Sequence, residues 1–383
     1  MADLMALLAS REMVLVCGSG GVGKTTTAAA MGVAAASEVG GRVLVLTVDP
    51  ARRLADALGV GRIGNEATRV PDSAFAEAGV TPRGELWAAM LDTKAGWDEL
   101  IARHAPDDRV LQSVLANPLY QNITSRFVHS HDYLAMERLH ELHASGAYDL
   151  IIVDTPPSRN ALDILDAPGR MKEFFGSRLL KWLTVPYRSR LFTAASKPFY
   201  QVADRVLGSR FLQDIAEFFM LFQAMERGFV QHAREVERLL ADPRTTFVVV
   251  STLEAAPSHE AAYLAEELVR RRFHLGAIVV NRVLPRSFTT KASAASARKL
   301  VKAARGPLAD AVADRVDADA ATVGDVLTEI GTRFHDMAVV ATREAERRAD
   351  LAELTSLLVT APMLDRDVND VADLLELAAH FTS

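Results

Sequence analysis

Eight consecutive residues, Gly18-Ser19-Gly20-Gly21-Val22-Gly23-Lys24-Thr25, have the types and spacing to hold phosphate. Their glycines let successive backbone N–H groups converge on anionic oxygens, and a helix starting behind them adds the positive end of its dipole. Lys24 is placed to reach the β- and γ-phosphates of a nucleotide, and the Thr25 hydroxyl to serve a Mg²⁺ ion, with Thr26 next to it. Such chemistry also needs carboxylates, and two follow apolar runs: Asp49 after residues 44–47, and Asp154 after residues 150–153. Asp154 suits Mg²⁺ held through water. Asp49 is then free to orient an attacking water, with reach to the same ion through water. Each could instead cap a helix, because a carboxylate there satisfies free N–H groups. The expected cofactors are ATP or ADP with Mg²⁺.

Positioning these groups requires strands that end together. Continuous β-branched runs occur at 13–17, 42–47, 150–153, 246–251, 276–280 and 357–360. Continuous rather than alternating apolarity is what strands buried on both faces of a parallel sheet require. Helical patterns such as 25–38 and 261–272 lie between most of them, which predicts an α/β, doubly wound, mostly parallel sheet. Ligands of such folds bind beyond the carboxyl ends of the strands. Residues 92–143 read as helical, and residues 286–305 as a mobile loop or an exposed helix.

One block breaks the alternation. Residues 167–240 show no strand pattern, and nine of the sixteen phenylalanines fall between Phe174 and Phe229. Between Arg170 and Arg210 nine basic residues face only Glu173 and Asp204. This predicts an inserted helical subdomain at 167–240, the nucleotide-binding domain being 1–166 and 241–383. The insert is either a surface for a hydrophobic client or a membrane, or a helical core with solvated charges.

The whole chain of 383 residues carries 43 basic and 49 acidic residues, a net charge of -6, which argues against nucleic acid as a partner. A single cysteine, Cys17, leaves no thiolate cage within one chain, so neither a zinc clasp built on Cys-x-x-Cys nor an iron–sulfur cluster is expected. Cytoplasmic placement fits, since the first eleven residues lack a basic lead and carry Asp3. They read as a short amphipathic helix. Any membrane contact would be peripheral, because no run approaches the ~18 apolar residues of a span.

Taken together the motifs resemble the family of the arsenite-pump ATPase and the eukaryotic targeting ATPase for tail-anchored membrane proteins. The resemblance covers nearly the whole chain. It rests on the loop at 18–26, on Asp49-Pro50-Ala51 as switch I and on Asp154-Thr155-Pro156-Pro157-Ser158 as switch II. By this likeness Asn281 reads the adenine edge, and Pro362 and Met363 pack on the base. It also implies a nucleotide-gated dimer whose helical subdomain takes a hydrophobic client or partner.

The departures from that pattern matter as much. The family's signature lysine, which crosses the dimer to the partner's phosphates, has Ser19 in its place. A lone chain is therefore expected to hydrolyse ATP slowly. This sequence is similar to an actinobacterial type that also lacks the lysine and pairs with a paralogous subunit, so homodimer and heterodimer both stay open. Arg159 is a candidate substitute cation, against a surface or salt-bridge role. The competing functions are a regulatory module gated by nucleotide with negligible hydrolysis, and a positioning ATPase on membrane or DNA.

Overall fold

A computed structural model describes residues 3–48, 52–61, 63–91, 93–123, 130–155, 165–166, 169–170, 173, 217–221 and 223–382. Asp49, Pro50, Ala51, residues 156–160 with Arg159, and most of the 167–240 insert lie outside them.

The expected strands form. They are β1 (Met13–Cys17), β2 (Gly41–Thr47), β5 (Leu150–Asp154), β6 (Thr245–Ser251), β7 (Leu275–Val283) and β8 (Leu358–Pro362), with β3 (Thr68–Arg69) and β4 (Gly84–Met90) in addition. The sheet runs β3-β4-β2-β5-β1-β6-β7-β8, and every pairing is parallel except β3 with β4. The α/β expectation is met. β1 and β5 lie at the centre and are buried along their whole length, as continuous apolar runs demand. Each fully buried Val or Leu in them contributes about 1.5–3 kcal/mol by leaving water.

Alternate residues of β1 feed two cores. Val14 and Val16 pack with Ala28, Ala29, Met31 and Val33 of the helix Lys24–Ala34, whose alanine-rich sequence favours helix and allows close approach to the sheet. Met13, Leu15 and Cys17 face the opposite core, with Trp97, Leu100, Tyr133, Met136, Phe229 and Val236. That second core is built by the helices Thr93–His104, Ser130–Ala144 and Glu226–Leu240. The last of these falls inside the 167–240 range and buries Phe229, Ala233 and Val236 in the core shared with the sheet.

Two features, β4 and the helix Ala320–Ala352, go beyond the sequence reading, while residues 286–305 take its exposed-helix alternative. β4 interleaves Glu85 and Trp87 with small residues, and its half-buried character obscures the apolar run that marks a central strand. Residues 286–305 fold as a 3₁₀ turn, Arg286–Thr289, and a helix, Lys291–Ala303, that buries no residue fully. The 33-residue helix Ala320–Ala352 starts from Asp319, whose carboxylate accepts the Thr322 N–H. Among the described residues, no helix is long and apolar enough to cross a membrane.

Candidate functional site

The predicted loop leaves β1 and enters the helix Lys24–Ala34 within six residues, Gly18 to Gly23. Gly18 has φ +149, and a Cβ there would lie 2.1 Å from the Val250 carbonyl oxygen. Gly23 caps the helix at φ +94 with no side-chain hydrogen bond to the first turn. The first-turn N–H groups are thus left uncapped by any side chain, the condition for binding an anion at a helix start.

Lys24 is 6% exposed, and its ammonium donates to the Ser19 carbonyl oxygen at 2.8 Å. The positive charge therefore lies against the loop rather than out in solvent. Thr25 and Thr26, both partly buried, begin the helix. The Thr25 hydroxyl donates to Oδ2 of Asp154 at 2.6 Å, and the Thr47 hydroxyl donates to the same oxygen at 3.0 Å.

Sheet register produces that convergence. Asp154 ends β5 directly beside Val16 of β1 and Thr47 of β2. Asp154 is 1% exposed, so these donors rather than bulk water contact its carboxylate. Thr155 locks the next residue down, with its N–H and hydroxyl both reaching the Val16 carbonyl oxygen, at 3.3 and 2.9 Å. A hydroxyl and a carboxylate in contact at the mouth of the loop are hard oxygen donors. They fit Mg²⁺, which takes oxygen ligands and keeps several waters.

Asn281 is 8% exposed. Its amide donates to the Val22 carbonyl oxygen at 2.9 Å, and its side-chain oxygen accepts the Arg282 N–H at 2.9 Å. Arg282 takes the left-handed conformation, φ 57, where β7 departs from regular pairing with β8. The neighbouring strand then delivers Pro362 opposite Val283, and the Met363 N–H donates to the Val283 carbonyl oxygen at 3.1 Å. Met363 is 60% exposed. The structure thus brings together residues 18–26, Asp154 and Asn281, with Pro362 and Met363 along the same strand ends.

Two contributors are absent from the sequence reading. Thr47 could have been found by noticing a hydroxyl at the end of a strand paired with β5. Glu260 carries no sequence signal: its Oε2 accepts the Ser19 hydroxyl at 2.5 Å from the helix Ala255–Arg270. Beneath the loop, Cys17 is fully buried, and desolvation pushes its thiol up to about 12.

The chain is similar to several known proteins. A protein of Streptomyces coelicolor named as uncharacterised is 29% identical over 274 residues, 71% of this chain and 62% of that protein. The ATPase GET3 of Malassezia globosa is 27% identical over 278 residues, 72% of this chain and 73% of its own. The ATPase get3 of Aspergillus terreus is 27% identical over 274 residues, 71% and 73% of the two chains. The chain thus spans less than two thirds of the Streptomyces relative and about three quarters of the fungal ones. The family described as "Anion-transporting ATPase" matches residues 11–306, which run from the start of β1 past the end of β7. With well over half its length in that match, and the phosphate loop inside it, the chain belongs to the anion-transporting ATPase family.

Proposed function

We propose that the chain hydrolyses ATP to ADP and phosphate, and that nucleotide state controls the binding of a hydrophobic client or partner by a dimer. The observation that carries this reading is the Thr25–Asp154 contact, which couples the phosphate loop to the end of β5 at 2.6 Å. The loop N–H groups of residues 18–23 and Lys24 would bind the β- and γ-phosphates. Thr25 directly, with Asp154 and Asp49 through water, would hold Mg²⁺, which when bound neutralises charge building on the phosphate oxygens. Asp49 would orient the water whose oxygen bonds to the γ-phosphorus as the bond to the ADP oxygen breaks. Asn281, Pro362 and Met363 would take the base. Asn281 would do so while tying β7 to Val22.

A second reading has an observation of its own. Ser19 supplies no cation, and its hydroxyl is directed to Glu260. This favours weak hydrolysis by the lone chain, with a lysine-bearing paralogue raising it, or a module in which nucleotide occupancy alone gates assembly. A cytoplasmic protein with at most peripheral membrane contact accords with either.

Single-turnover hydrolysis with and without Mg²⁺, comparing the chain with Lys24→Ala, tests the ATPase reading. Mg²⁺-dependent phosphate release that Lys24→Ala abolishes is expected. Release by Lys24→Ala at the rate of the unaltered chain would sink it. Adding a lysine-bearing paralogue to the same assay separates activation from simple gating.

A further inference from the structure

On the sheet face opposite the phosphate loop helix, three helices bring imidazoles and carboxylates together. His104 ends the helix Thr93–His104. Glu137 and His140 stand three residues apart on Ser130–Ala144, and His232 and Glu235 stand three apart on Glu226–Leu240. Residues at that spacing share one helix face. The topology turns both faces toward each other, since the two helices pack in the same core through Tyr133, Phe229 and Val236.

The contacts are close. His232 Nδ1 lies 3.0 Å from Glu137 Oε2, and the His232 ring lies 4.7 Å from that of His104 and 5.4 Å from that of His140. One ligand atom each from His104, Glu137 and His232 falls within 4.8 Å of the others, and His140, His232 and Glu235 meet the same condition. Glu137 is 2% exposed, and its second oxygen accepts the Tyr133 hydroxyl. Gly228 leaves room for the His104 ring, because a Cβ there would lie 2.6 Å from Nδ1.

From this geometry we infer that His104, Glu137 and His232 form a binding site for one divalent transition-metal ion of the zinc class. Two imidazoles and a carboxylate suit Zn²⁺, Co²⁺ or Fe²⁺ better than Mg²⁺ or Ca²⁺, which prefer oxygen alone. The cysteine count removes a thiolate cage and leaves this one untouched. A hydrogen-bonded cluster without metal accounts for the His232–Glu137 contact but not for His104. The Nε2 atom of His104 is buried with no hydrogen-bond partner among the described residues, a state that costs stability and that a metal bond to that nitrogen would relieve.

Ligand distances of about 2.0–2.2 Å put neighbouring donors about 3.4 Å apart in a tetrahedral shell, against separations of up to 4.8 Å here without the ion. His140 and Glu235, 3.7 Å apart, supply a further ligand or orient His232. The ion would clamp together the helices that lead into β5 and β6. The inference stands independently of the ATPase reading.

The test uses the full-length, untagged chain, stripped with chelator and free of nucleotide. Co²⁺ is titrated by visible absorption, then displaced with Zn²⁺, and melting is followed in parallel. One equivalent of Co²⁺, displaced by Zn²⁺ and raising the melting temperature, is expected. His104→Ala and His232→Ala should each weaken binding by about 10- to 100-fold. His143→Ala, which removes a ring 2.9 Å from Glu12 and outside the cluster, should leave binding unchanged. Uptake well below one equivalent by the unaltered chain overturns the inference, and that measurement does not depend on any variant folding. Binding that survives both substitutions overturns it as well, and would point to the oxygens of Thr25 and Asp154.

Discussion

The hydroxyl of Ser19 donates to Oε2 of Glu260 at 2.5 Å, joining the phosphate loop to the helix Ala255–Arg270. Where the resembling family carries a lysine, this chain has a neutral donor held by an acid. Ser19→Lys alone would therefore place its ammonium beside Glu260 and form an ion pair there. Combined with Glu260→Gln, the ammonium is released toward the phosphates. Steady-state phosphate release should rise at least about tenfold in the double variant, and less in Ser19→Lys alone. No gain in the double variant would show that Ser19 does not limit hydrolysis.

Asp154→Asn keeps the shape of the side chain and its contacts with Thr25 and Thr47 while removing the charge. Mg²⁺-dependent turnover should fall by about 100-fold, the scale of losing one electrostatic stabiliser. ADP binding without Mg²⁺ should change little. A variant that retains full Mg²⁺-dependent turnover would show that Asp154 serves the fold only.

Gly23→Ala puts a methyl group 2.3 Å from the Asn281 amide nitrogen, at a φ of +94 that alanine rarely adopts. Melting should register a loss of about 1–3 kcal/mol from the strained backbone, and binding of a fluorescent ATP analogue should be lost. Asn281→Ala removes the bond to Val22 without strain. It should cost about 1 kcal/mol, with weaker nucleotide binding but not its loss.

Cys17 should resist iodoacetamide in the folded chain and react once urea unfolds it, read by mass spectrometry. Burial raises its thiol from the ordinary 9.0 to about 12, so the folded protein keeps a proton that the unfolded chain releases. That contribution to stability is complete below pH 9 and is lost as pH rises from 9 toward 12. Rapid alkylation of the native chain at pH 8 would contradict the burial of β1.

Much of this was legible in the sequence because it is local or repetitive. The apolar runs of β1, β5 and β6 announce strands buried on both faces, and the loop at 18–25 carries its donors in consecutive residues. β4 escaped because Glu85 and Trp87 interrupt its run, and the long helix Ala320–Ala352 because its apolar residues are spread thinly along an exposed face.

The sequence by itself determined the α/β class, the phosphate loop and the carboxylate after β5, since hydrophobic periodicity and backbone donors act over a few residues. Only the tertiary structure decided which distant groups meet. Thr47 shares Asp154 with Thr25 because β2 and β1 flank β5, and Asn281 reaches Val22 across 259 positions because β7 ends beside the loop. Ser19 meets Glu260 across 241 positions, and His232 meets Glu137 across 95. Such pairs leave no spacing to read. Their partners are set by strand order and helix packing, which follow from burying the whole chain at once.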